Sequence, residues 1–520
     1  MDYILNRIFD SPIQVAFPDA EWSIPEIGDT TARLPINSSP DAVIYEYAYR
    51  RYEDPLYLPI IEKSKRVLDL SSHTGPPGLL YDLDAQAAPK AERKPESINF
   101  FDNGIGVLRL KAGDDMNQLI LLSGESRSHG HPDKLTIILY ALGDVVLPDP
   151  GVIFPYQDPL DPTWYSTTLS TCTLTVDEKS QIDYGSLYKY KGATPPVTPQ
   201  LVFGPAATMG IQRAYTCTCY PGVTMDRSVF ATPEYIADLY GAFSQDAHKY
   251  DLAWHLRGQL TSDLQFQPMT FSTPVADGYN SMADVRHVST DKAWSATAER
   301  DGKDVRLLAA GGMDTDVIAA TGHYRGGIGY GRKDELPPAI LERRTKDAST
   351  LYGNAVDVSG TKDGYLKAVT QEGGLDKGYG LLQVQTMKGT DLCFTSYRPG
   401  TYKAGGMETD AEQAFVLMDG KNVRAMFLAG GKVLKAAGGA IERSEPGLAY
   451  VEKTGTGTYI VGNPSGNDAT VTVTLPELSG LKGYLLDDKG ARKGPASVTN
   501  SSPNSCTVEL KAASKVEFSQ

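Results

Sequence analysis

From about residue 100 to its end, the chain repeats one pattern. Short runs of β-branched, aromatic and leucine residues alternate with Gly, Pro, Asn or Asp. Gly104–Lys111, Asn117–Leu122, Thr173–Val176, Val305–Ala309, Val423–Leu428 and Thr458–Val461 all have this form. Runs this short, closed by turn residues and rarely interrupted by helical periodicity, predict strands stacked into large antiparallel sandwiches. Tyr459–Gly462 and Thr470–Leu475, flanking Ser465-Gly466-Asn467-Asp468, predict a hairpin. Helical character is confined to the first 66 residues. There Ser39-Pro40-Asp41 opens a helix over Ala42–Tyr52 that Pro55 ends, and a second short helix fits Leu58–Lys65. Pro76–Lys94 reads as an extended connector, and Gly360-Thr361-Lys362-Asp363-Gly364 marks a soft boundary before a final β-rich part. The expected fold is therefore mainly β. It has a helical segment over 1–75, a large antiparallel β-sandwich over 76–365 and a smaller C-terminal β-sandwich over 366–520.

Charge and cysteine content narrow the function. Lys plus Arg number 50 against 64 Asp plus Glu, a net −14, so no general affinity for nucleic acid is expected. An acidic ligand would need a local cluster of Arg, Lys or metal. No apolar run is long enough for a membrane helix. Five cysteines are too few for a disulfide scaffold, and Cys217-Thr218-Cys219, expected to face one way on a strand, lacks the second pair a thiolate zinc site needs. Met1–Arg7 carries an early acid and no basic or long apolar region, so no signal peptide is read there.

The densest chemistry lies in Ser128-His129-Gly130-His131-Pro132-Asp133 and Leu147-Pro148-Asp149-Pro150-Gly151. In an extended segment an H-x-H pair presents both imidazoles on one face, one placed for a metal and its neighbour for a substrate. Asp149 follows closely enough to return on an adjacent strand or turn, and imidazole with carboxylate is ordinary zinc chemistry. A hydrogen-bonded loop around Pro132 and Pro148 accounts for the same residues without function.

The run His129–Gly143, followed by Leu147–Gly151, resembles the heparinase II/III-like polysaccharide lyases, with the oligoalginate-lyase branch nearest. The likeness continues through Trp164–Ser170, Val176–Gln181, Tyr250–His255 and Pro338–Arg344. Pro25-Glu26-Ile27-Gly28-Asp29 resembles the last part of that family's α/α toroid. The resemblance implies cleavage of a uronate-containing acidic polysaccharide, alginate-type or glycosaminoglycan, by β-elimination. It also implies a helical remnant of the toroid ahead of the sheets, and a periplasmic or secreted location.

Carried over by position, His129 matches the catalytic histidine, and His131 and Asp149 match zinc ligands. Tyr165 is the candidate second catalytic group, while Arg127, Tyr156, Trp164 and His255 are candidates for contacting substrate. Lys134, Arg227 and Arg257 are further cations for an acidic lining. Thr171 stands where the family commonly has a third metal-binding histidine, with Cys172 one residue on. The toroid's carboxylate-neutralising group and its tyrosine have no counterparts that can be located. The rival expectation is thus a non-catalytic carbohydrate-binding remnant, or one that depends on a homo-oligomer or a separate toroid chain.

Overall fold

A computed structural model describes residues 2–30, 33–36, 42–61, 93–124, 130–153, 157–183, 200–271, 277–329, 333–478, 480–487, 490–502 and 504–519. The fold is mainly β, in several antiparallel sheets. Helices Asp2–Val15 and Ala42–Tyr52 precede the strands, and residues 58–61 begin the second expected short helix. Most of the expected connector, residues 76–92, lies outside the described residues.

The first sheet is a five-stranded meander of Ile98–Phe100, Ile105–Ala112, Asp115–Leu122, Ile137–Ala141 and Asp144–Leu147. Both of its faces are covered, which explains why Val107–Leu110 and Leu119–Leu122 are unbroken apolar runs except at Arg109. Leu108, Leu119, Leu121 and Leu139 pack on Met225, Val229, Tyr240 and Leu252 of the next sheet. On the opposite face Val107, Ile120, Leu122 and Tyr140 pack around Phe17, whose ring stacks on Tyr140 at 5.2 Å. The end of the first helix reaches that face through its free carbonyls. Arg93 donates to Ile13, Ala16 and Phe17 O, and Gln118 Nε2 donates to Val15 O. Backbone acceptors that a helix end leaves unsatisfied are thereby met by side chains of the sheet and its approach.

The twelve-stranded sheet is organised by two long strands, Tyr235–His255 and Pro338–Asp357, paired from Tyr235↔Asp357 to His255↔Ala339. A register shift between Phe243 and His248 divides them. On one side of it lie Val223–Ala231 and Lys303–Ala309, and on the other Leu174–Val176 and Thr315–Thr321. Such a bulge lets one strand serve two sheet directions.

Leu366 begins a separate fifteen-stranded sheet that runs to Ser519. Its Leu382, Phe415 and Phe427 share a core with Ile211, Phe230 and Leu239 of the twelve-stranded sheet. The buried Glu452 carboxylate also accepts from the Ala207 and Thr208 amides across that junction.

Two local expectations are corrected here. Tyr459–Gly462 and Val471–Thr474 do not form a hairpin: each pairs with a different half of the long strand Gly439–Gly455. A sequence window of hairpin length cannot reveal a third strand lying between the two. Cys217 is exposed and Cys219 buried. The register shift between Thr216 and Tyr220 breaks the alternation that would have aligned them.

Candidate active site

His131 lies in the loop that leads into strand Ile137–Ala141, not on a strand, so face alternation does not govern it. Leu139 pairs with Leu147 across the following hairpin. Continuing that antiparallel pairing brings Asp149 to the strand end where the His131 loop enters. Sequence separation is thus closed by one tight hairpin.

The loop is held by buried polar contacts rather than by regular structure. Lys134 N donates to Gln181 Oε1 at 2.9 Å, and Lys134 O accepts from Gln181 Nε2 and Thr173 Oγ1. Leu135 N donates to Leu122 O at 2.7 Å, and Leu135 O accepts from Arg227 Nη1 at 2.7 Å. Leu135 has φ +64 while its side chain is fully buried, a conformation that L-residues avoid. A strained residue persists only when its surroundings over-determine it, and here both of its backbone polar groups are taken. Arg227 itself is buried against Asp238 at 2.9 Å and also donates to Cys172 O. It is therefore unavailable to a sugar, contrary to its place among the lining cations.

A strap formed by residues 23–30 and 33–36 closes the site from the N-terminal side. Asp29 Oδ1 lies 3.1 Å from His131 Nε2, Glu26 Oε2 accepts from the Tyr324 hydroxyl at 2.9 Å, and Arg33 pairs with Asp144 at 3.0 Å. Val152 N donates to Thr30 O at 3.2 Å. Gly151 has φ +61, and a Cβ there would stand 2.4 Å from Thr30 O. Gly151→Ala is accordingly expected to lower stability by about 2 kcal/mol in urea unfolding. Gly113→Ala, at φ +65 with open space around it, should lose less. The difference between the two measures the contact with the strap.

His131, Asp133 and Asp149 are all buried. Burial raises the Asp149 carboxyl, and the nearby charges of Asp133 and Glu26 raise it further against the opposing pull of His131. Burial works against a charged His131 imidazole, but Asp29, Asp149 and Asp133 outweigh it and the net shift is upward. Two atoms in this group have no hydrogen-bond partner, His131 Nδ1 and Asp149 Oδ2. An imidazole nitrogen and a carboxylate oxygen, buried, unpartnered and in a surplus of negative charge, fit two ligands of a zinc ion. The described residues contain no group of three or more His, Cys, Asp or Glu side chains placed to hold one metal ion. Thr171 Oγ1 donates to Thr168 O at 2.9 Å and Cys172 Sγ accepts from His255 N at 3.4 Å, so both are engaged by other partners.

Trp164 and Tyr165 sit on a single π-turn, Asp161–Tyr165, in which Ser166 N donates to Asp161 O at 2.9 Å. Such turns often accompany functional sites. Asp161 feels the charges of His131 and Asp29, which places the turn beside the His131 cluster. Trp164 is fully buried, its Nε1 donating to His323 O at 2.8 Å, and its ring lies edge-on to His255 at 5.7 Å. Tyr165 shares the core around Trp164. His255 Nε2 donates to Leu169 O at 2.7 Å, and burial lowers its pKa to about 4. Trp164 and His255 thus belong to the interior wall behind the site and offer no surface to a sugar. His129, Arg127 and Tyr156 lie outside the described residues.

Sequence reasoning assigned no role to Glu26, Asp29, Asp161 or Tyr324. The Pro25–Asp29 likeness was the one signal that pointed toward the first two.

Residues 93–337 match the family described as Heparinase II/III-like, C-terminal. No curated protein matches the chain. Among solved structures, the chain is similar to the heparan sulfate lyase HepC of Pedobacter heparinus, with TM-score 0.54 and 14% identity over 77% of this chain and 54% of that one. It is also similar to a heparinase III with TM-score 0.53 and 14% identity over 76% of this chain and 52% of that one. The chain therefore spans about half the length of these proteins, and at such identity the likeness establishes the fold.

Proposed function

We propose, for a chain whose residues 93–337 match the Heparinase II/III-like, C-terminal family, that it serves a polysaccharide lyase acting on a uronate-containing acidic polysaccharide, alginate-type or glycosaminoglycan. The observation that carries the reading is the buried His131–Asp133–Asp149 cluster, built on the segment where the family resemblance is densest. Elimination needs three things: a neutralised uronate carboxylate, a base for the C5 proton and an acid for the departing glycosidic oxygen. His129, two residues before His131, is the proposed base or acid. Tyr165, the other catalytic candidate, is buried on the π-turn in the same core as Trp164 and faces no sugar either. The described cluster holds more carboxyls than basic groups, so carboxylate neutralisation falls to groups outside it.

Zinc is the proposed cofactor, and His131 and Asp149 are the residues that would hold it. When bound it would tie the His131 loop to the Asp149 turn and fix their shape. This chain's own residues do the rest: Arg227 and Gln181 hold the loop, and the strap closes it. A periplasmic or secreted location is proposed on the same resemblance.

The test is ultraviolet detection of unsaturated uronate on alginate, hyaluronan, heparan sulfate and chondroitin, with wild type and His129→Ala compared. Turnover that is lost in the variant supports a lyase. A folded protein that yields no product on any of the four overturns it. The second reading, a carbohydrate-binding remnant or a partner to a separate toroid chain, is favoured by Thr171, which stands where the family commonly has a third metal-binding histidine and whose hydroxyl is bonded to Thr168 O. Sugar binding without turnover, unchanged by His129→Ala, would select it.

A further inference from the structure

An imidazole presents two nitrogens, and the hydrogen bond made by one decides what the other can do. His131 is buried, with Nε2 against Asp29 Oδ1 at 3.1 Å and Nδ1 enclosed and without a partner. A carboxylate accepts only, so in the neutral ring this contact selects the tautomer protonated at Nε2 and leaves the Nδ1 lone pair free. Asp29 is well placed to impose that choice because the strap carrying it is fixed on both sides. Glu26 is bonded to Tyr324, Arg33 to Asp144, and Thr30 O to Val152 N. Gly151 admits the strap backbone at a distance that no side chain would allow.

We propose that Asp29 is the positioning residue for His131: it holds the ring by Nε2 and makes Nδ1 the donor atom of the site. The strap is then part of the active site and not a remnant joined to it. This rests on the reading of His131 as a site residue, and the test reads the ring itself, apart from turnover.

The experiment uses the full chain labelled with ¹⁵N-histidine, and long-range ¹H–¹⁵N correlations recorded at alkaline pH, where the imidazole is neutral. His131→Gln assigns the signal. The expected wild-type pattern is a single Nε2–H tautomer. Asp29→Asn, whose amide oxygen still accepts, should keep it, and Asp29→Ala should give a mixture of both tautomers. Zinc titration of the same samples should show affinity weakened about 10–100-fold in Asp29→Ala, the usual scale for loss of a ligand's orienting partner. Circular dichroism confirms that each variant is folded. An Nδ1–H tautomer in wild type overturns the proposal, as does a folded Asp29→Ala protein with unchanged tautomer. Wild type that binds no zinc but shows the Nε2–H tautomer supports Asp29 as the positioning residue and sinks only the zinc reading. Absence of lyase turnover leaves both readouts intact.

Discussion

Arg227→Met is expected to lower the free energy of unfolding by about 3–5 kcal/mol, seen as a fall in urea midpoint at unchanged slope. The guanidinium is fully buried, donating to Asp238 at 2.9 and 3.1 Å and to the carbonyls of Leu135 and Cys172. It also lies 4.9 Å from the centre of the Tyr240 ring. Removing it leaves a buried carboxyl that burial already pushes upward and that Arg227 alone pulls down. It also frees the carbonyl of Leu135, whose left-handed backbone that bond helps to hold. The double variant Arg227→Met/Asp238→Leu separates the two effects. Recovery of about half the loss or more would assign the cost to the orphaned carboxyl. A double variant no more stable than the single one would assign it to the Leu135 loop. In either case the His131 loop loses an anchor.

What the sequence could and could not reveal follows the range of the interactions. Strand runs such as Asn117–Leu122 and Thr458–Val461 were legible because short apolar runs and the turn residues that close them act within a few positions. The helix Ala42–Tyr52 was legible for the same reason, with its opening residues and Pro55 adjacent to it. Order within the sheets was not. The strand that separates Tyr459–Gly462 from Val471–Thr474 comes earlier in the chain, and its two halves have different partners. At the site, His131 and Asp149 were within reach because one hairpin joins them. Asp29 meets His131 across 102 residues of chain, and no local pattern encodes such a contact. The H-x-H argument assumed strand geometry, whereas His131 lies in a loop held by Gln181, Thr173 and Arg227, and His129 lies outside the described residues.

The same burial that hides Trp164 and His255 from substrate makes His255 an acid-sensitive point behind the site. Its pKa is lowered to about 4 from an ordinary 6.5, burial being the main cause and the bond to Leu169 O opposing it. Above 6.5 the ring is neutral in both folded and unfolded chains and contributes no pH dependence. Between 6.5 and 4 the unfolded chain binds a proton that the folded one does not, so stability falls as pH falls. The loss is about 3 kcal/mol in total. Asp133, Asp149, Glu342 and Asp391 act in the opposite sense. Burial raises each of them, so the folded chain takes up their protons first and gains stability as pH falls. The wild-type curve alone therefore mixes both signs, and the difference from a His255→Gln variant isolates the histidine. Glutamine can still donate to Leu169 O but carries no titrating charge, and loses the edge contact with Trp164. Near neutral pH the variant should be less stable by about 1 kcal/mol. Approaching pH 4 the order should reverse, with the variant ahead by about 2 kcal/mol. Urea melts of both proteins at matched pH decide it, and parallel curves without a crossing would mean that His255 is protonated inside the fold.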